Sequence, residues 1–162
     1  MVYAAIRNAR SLLYVFDVTD GSHKAYHTQF AYITKVRSVS PGKIVFLASE
    51  DTRPMSIVTA TLDMNDPNQS DWSFQASVEH ECPIPASYIS RPAPYVFKDA
   101  ITGDPVHATY YPPTNPKYDC GLSGELPPVV VNVHGGPTHF TAQGLNWEAQ
   151  LFTSHGFAWY VS

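Results

Sequence analysis

In the first half of the chain, apolar residues come in short bursts separated by polar and turn-forming residues. "SLLYVFDVTDGSHKAYHT" holds two strand-like runs around Asp20-Gly21, a pair suited to a tight hairpin turn. Next come "AYITKVRSV", the turn "SPGK", the run "KIVFLAS", a loop at Glu50–Pro54 and "SIVTATLD". A second polar turn, "MNDPNQSD", leads into "WSFQAS". Four strands spaced about 12–14 residues apart, each ended by turn chemistry, predict an antiparallel meander. A four-stranded sheet of this kind is the unit of a β-propeller, and it also suits a fragment of a small sandwich or barrel. Periodicity does not separate these.

Proline divides the chain. Three of its fourteen prolines precede position 80, and eleven lie from Pro83 to Pro137. "ECPIPASYISRPAPYVF" (Glu81–Phe97) reads as a domain boundary, because Pro83, Pro85, Pro92 and Pro94 favour extended backbone and forbid a helix. "YVFK", the turn "DAITGD" and "PVHATYYPP" then predict a hairpin, and Pro112–Pro128 a long surface loop.

Beyond that loop the pattern changes. Val129–Val133 is a nearly continuous apolar run, as in a strand covered on both faces within a parallel sheet. "GLNWEAQLFTSHG" predicts a helix with Leu145, Trp147, Ala149, Leu151 and Phe152 on a broad apolar face. Glu148 early, His155 late and Gly156 as a stop suit its dipole and its C-terminus. "FAWYV" is strand again, which completes a βαβ unit and requires a parallel pair.

Composition narrows the function. With 162 residues, 44% of them hydrophobic, the chain has globular character. A net charge of −4 and ten scattered Lys and Arg argue against nucleic acid as a partner. Arg7 and Arg10 break the apolar N-terminus, so no signal peptide is expected, and no run reaches membrane-spanning length. Cys82 and Cys120 sit 38 positions apart without a C-x-x-C, which predicts free thiols and a cytoplasmic chain. His23 and His27 are four apart in a strand-like region where that spacing does not converge, so neither they nor "EHEC" (Glu79–Cys82) predict a metal site. His139 and His155 read as surface or helix-end residues, and no cofactor is expected.

The chemistry lies at "PPVVVNVHGGPTHF", where a buried strand runs into His134-Gly135-Gly136-Pro137. Glycines there let the backbone approach a ligand closely. A His-Gly-Gly loop after the third strand of an α/β-hydrolase supplies an oxyanion-hole N–H, and losing one such donor costs roughly 2.7–4 kcal/mol of barrier. The same residues would also make a plain strand-to-loop turn. The strand before and the helix after favour the oxyanion role.

"LPPVVVNVHGGPTHF…LNWEAQLFTSHGFAWYVS" resembles the start of the catalytic domain in the prolyl oligopeptidase family of serine peptidases, which includes dipeptidyl and acylaminoacyl peptidases. "VSPGKIVFLASEDTRPMSIVTATLD" is similar to a late propeller blade of that family, and "YISRPAPYVF" and "HATYYPPTNP" to the crossing into its hydrolase domain. The resemblance implies a terminal propeller blade over residues 1–82, a Pro-rich linker over 83–94, and an α/β-hydrolase start over 95–162. It also implies a peptide substrate. His134 would shape the oxyanion loop by hydrogen bonding, without a proton-transfer role.

The family's G-x-S-x-G nucleophile does not occur in these residues. "GLSGE" (Gly121–Glu125) imitates it, but with Glu125 in place of glycine, and it precedes the third strand. No Asp follows Asp119, so no Ser-Asp-His set can be assembled after the glycine turn. The expectation is an incomplete piece of a serine peptidase, inactive alone. The alternatives are a non-catalytic β-rich protein-binding module and a truncated gene product without function. In the family's sheet the third strand lies between the fourth and fifth; without the fifth, Val129–Val133 would be an open edge prone to self-association.

Overall fold

The computed structural model describes residues 1–61, 73–76, 82–118, 121–136 and 140–161. Pro137, His139, Cys120, the "MNDPNQSD" turn and most of "EHEC" lie outside the described residues.

Among the described residues three sheets account for the strands. The first is antiparallel, in the order β1 (Val2–Arg7), β2 (Arg10–Phe16), β3 (His23–Tyr26). Strand β1 was not expected from the sequence. Its hairpin turns on Asn8 and Ala9, both left-handed at φ 52° and 61°. Asn accepts that conformation but Ala does so only at a cost, so the turn carries no glycine signal.

The second sheet is the expected meander: β4 (Tyr32–Ser40), β5 (Lys43–Ser49), β6 (Ser56–Thr61) and β7 (Ser73–Ala76) pair in chain order. Alternate residues Ile44, Phe46 and Ala48 of β5 and Val58 and Ala60 of β6 are buried, the period-2 signature of a sheet with one packed face. Phe46 sits edge-on to Phe30 and Phe74 at 5.7 and 6.3 Å, and Leu13 of β2 joins the same cluster, so the first two sheets share one core. Backbone links reinforce it. Ser11 N–H donates to the Ala31 carbonyl (3.0 Å), and Ile33 N–H donates to Ser11 Oγ (2.9 Å), which satisfies a buried hydroxyl.

The third sheet is mixed, in the order β10 (Val129–Asn132), β11 (Ala158–Val161), β9 (Pro105–Tyr111), β8 (Ala93–Lys98). Strands β8 and β9 form the expected hairpin. In its turn Asp99 accepts from the N–H groups of Ile101 and Thr102. Those bonds, Thr102's first, hold the carboxyl below its ordinary pKa. The β2–β3 turn repeats the device with Asp17 and Thr19, and each turn places a glycine (Gly21, Gly103) in the left-handed region.

Strands β10 and β11 run parallel, joined by α1 (Trp147–Ser154), so the βαβ unit is present. Asn146 caps the helix, its side chain accepting from the N–H groups of Glu148 and Ala149 (3.0 and 3.1 Å). Gly156 at φ 89° ends it: Gly156 N–H bonds the Thr153 carbonyl and Phe157 N–H that of Phe152, the two bonds of a Schellman motif.

Three expectations are corrected. The helix is shorter than "GLNWEAQLFTSHG", and its buried residues are Ala149, Gln150 and Thr153, while Trp147 and Leu151 are exposed. Phe152 still packs on Trp159, its ring stacked at 5.3 Å. Strand β10 is covered on one face only: Val130 packs beneath α1, whereas Val129, Val131 and Val133 are exposed. The Pro-rich 83–94 segment does hold a helical turn, a 3-10 turn at Ala86–Tyr88, since Pro85 begins it at the φ that helices share and Pro92 comes only after its end.

Candidate functional site

The glycine turn follows β10 directly, at the carboxyl end of the parallel pair. That is where open α/β sheets bind ligands, because strand ends and helix N-termini converge there. Gly136 is left-handed at φ 73°, so it requires glycine for conformation. Gly135 does not, and a Cβ built on either residue meets nothing within 4 Å. Both are exposed, and among the described residues no backbone carbonyl takes either amide. Exposed glycines at a strand end leave room for a carbonyl to dock against the backbone. His134 is half-buried, with Nδ1 shielded from solvent. Pro137 lies outside the described residues.

Among the described residues no group of three or more His, Cys, Asp or Glu side chains gathers at the turn or elsewhere. A cavity of about 670 Å³ lies at the other end of the βαβ unit, lined by Thr114, Asn115, Tyr118, Glu125, His155 and Pro128 among others. It sits where β10 begins and α1 ends, the wrong end for strand-end chemistry. "GLSGE" borders it through Gly121 and Glu125, far along β10 from the glycine turn. His155 closes the helix there, its Nδ1 2.7 Å from the Leu151 carbonyl. His23 lies on β3 in contact with the Tyr3 hydroxyl (2.9 Å) and beside Phe16. Cys82 is a half-buried free thiol. Among the described residues no helix is long and apolar enough to cross a membrane.

What the sequence did not reveal is how the turn is tied to the rest of the fold. Residues 140–146, which carry the chain from the turn to α1, lie against the meander. Phe140 stands against Tyr32 with ring centroids 6.4 Å apart, and Leu145 N–H donates to the Glu50 carbonyl (2.8 Å). Gly144 lies so close to Ser49 that an added Cβ would land on its Oγ. The one signal was Gly144 itself, a glycine ahead of the capping Asn146. On the other side Gln143 is buried and donates to Thr109 Oγ1 of β9 (3.3 Å).

Fold and turn together define a β-rich chain whose mixed sheet presents a glycine turn at the end of a parallel strand. The solved structures it resembles are peptidases. A puromycin hydrolase superposes with a TM-score of 0.80 at 25% identity, over 99% of this chain and 23% of its own. A puromycin-hydrolyzing peptidase of Mycobacterium tuberculosis gives 0.76 at 28%, over 94% of this chain and 22% of its own. The Pyrococcus horikoshii acylaminoacyl peptidase gives 0.65 at 19%, over 99% and 23%, a likeness of fold alone. These are members of the prolyl oligopeptidase family, and in structure as in sequence the chain resembles that family. It spans under a quarter of the length of the structures it matches. No protein-family model and no curated protein matches it.

Proposed function

We propose that this chain carries the oxyanion loop of a serine peptidase of the prolyl oligopeptidase kind, with peptides as substrate. Residues 1–82 are read as terminal propeller blade, 83–94 as linker and 95–162 as the start of the α/β-hydrolase domain. The free thiol of Cys82 fits the reducing cytosol.

One observation carries the reading: His134-Gly135-Gly136 leaves β10 at the carboxyl end of a parallel β10–α1–β11 unit, with both glycines exposed. The amide of Gly135 or Gly136 would donate to the oxygen that becomes negative as a peptide carbonyl turns tetrahedral. Such a donor acts on an attack that some nucleophile must make. These 162 residues hold no G-x-S-x-G, so the loop by itself is inactive.

The experiment has two arms. Incubated with a fluorophosphonate probe and with peptide p-nitroanilides, the 162-residue chain is expected to show neither labelling nor turnover; a labelled serine overturns that. In a peptidase containing this segment, Gly135→Val and Gly136→Val keep the N–H but crowd the space in which the oxyanion forms, and are expected to lower kcat far more than they change KM. A change in KM alone at both glycines would mean that the turn shapes the substrate pocket and no more. Because space around Gly135 is open, the fold is not expected to suffer there.

A further inference from the structure

The strap of residues 140–146 is held from outside at Phe140, Gln143, Gly144 and Leu145. Phe140 meets Tyr32, Gly144 sits on Ser49, and Leu145 N–H reaches the Glu50 carbonyl. Tyr32 begins β4, Ser49 ends β5 and Glu50 follows it, so all three belong to the meander. Gln143 binds Thr109 of the mixed sheet, and Asn146 passes the strap into α1 as its cap. Phe140 lies four positions after Gly136, at most about 14 Å of extended chain. Anchoring the strap therefore restricts where the two glycine amides can lie.

The contact at Gly144 is the tightest. Besides Ser49 Oγ, a Cβ there would come 3.3 Å from Ser49 Cβ and 3.5 Å from Tyr32 Cβ. Ser49 is itself buried and cannot simply swing into water. Gly144 is not left-handed, so its absent side chain serves this approach and not an unusual backbone angle.

We propose that Gly144, seated on Ser49, is a positioning residue through which the meander sets the place of the Gly135 and Gly136 amides. This rests on the oxyanion reading of those amides and adds that their geometry depends on the neighbouring sheet. Preorganised donors work only where they meet the developing charge, so a displaced strap would weaken them without touching a reacting atom.

The test is the position of the Gly135 and Gly136 amide resonances in ¹⁵N-¹H spectra of the 162-residue chain, kept dilute. Gly144→Ala is expected to shift and broaden both. Adding Ser49→Gly, which restores the space, is expected to return them, while Gly121→Ala, in open space, moves neither. A folded Gly144→Ala chain with both resonances in place overturns the proposal. Should that variant not fold, Tyr32→Leu, which removes the ring that meets Phe140 and keeps the Cβ beside Gly144, decides by the same shifts: moved resonances support the proposal, unmoved ones overturn it. The readout needs no nucleophile. Responsive amides in a peptidase whose kcat ignores Gly135 and Gly136 would sink the oxyanion role and leave the strap standing.

Discussion

Ser90 and Gln150 exchange two hydrogen bonds across sixty positions of sequence. Ser90 N–H donates to Gln150 Oε1 at 2.7 Å, and Gln150 Nε2 donates to the Ser90 carbonyl at 3.0 Å. Both residues are buried, and Ser90 Oγ also donates to the Pro112 carbonyl at 2.6 Å. The Gln150 amide thus acts as a piece of backbone, completing a ladder that the Pro-rich segment cannot make with a strand. It locks that segment to α1. Gln150→Leu strands a buried N–H and a buried C=O, and is expected to lower unfolding free energy by about 2–4 kcal/mol. Leu151→Gln, one position on but exposed, is expected to change it little. Urea titration of both variants checks this, and equal effects would mean the pair contributes nothing particular.

That pair also shows where the sequence could be read and where it could not. Val129–Val133, Gly156 and the turn glycines act locally, through strand pattern and backbone angle, and their elements lie where the pattern puts them. Gln150 and Ser90 act through each other. A glutamine in a helix reads as a solvated residue until something far away in the chain arrives to bond it, and Trp147 and Leu151 read as core for the same lack of context. Strand β1 was hidden because its turn uses Asn8-Ala9 where a glycine would have announced it. The glycine turn was legible as a motif, but its anchoring on Ser49 and Glu50 is a contact between sheets and has no periodicity.

The helix termini make a local test. Asn146→Ala removes the acceptor for two orphan N–H groups and is expected to cost about 1 kcal/mol. Gly156→Ala forces a Cβ into the left-handed region at φ 89° and is expected to cost about 1–2 kcal/mol. Thermal melts of each, read against the wild type, check both. If Gly156→Ala were neutral, the Schellman bonds to Phe152 and Thr153 would not be what ends the helix.

Tyr111 predicts the alkaline limit. Burial, and secondarily the charge of Asp51, push its phenol up to about 12. The protonated, neutral form is the one the fold accepts. Stability from this group is therefore complete below the unfolded value near 10 and is lost as pH rises through about 12. The loss should reach about 2 kcal/mol by pH 12. Tyr111→Phe cannot ionise, so its melting temperature is expected to fall less steeply than that of the wild type over pH 10–12. Parallel curves would show that Tyr111 does not titrate with unfolding.

The two edges of the mixed sheet differ in kind. Strand β8 carries Pro94 and Lys98, residues that blunt an edge by removing a donor and adding charge. Strand β10 reads Val-Val-Val-Asn, with neither, and among the described residues pairs on one side only. Its Val131 is 62% exposed and lies in register with Tyr160, which is in register with Tyr110, so edge and uncovered face meet there. Pairing of β10 with β10 of a second copy would satisfy the free ladder groups and extend the apolar face in one step. The chain alone is therefore expected to self-associate in a concentration-dependent way. Val131→Lys places a charge in that seam and is expected to return the chain to monomer without loss of secondary structure. Size-exclusion chromatography with light scattering on both decides it. A monodisperse wild-type monomer with a cooperative melt would show that the β10 edge is tolerated in water as it stands.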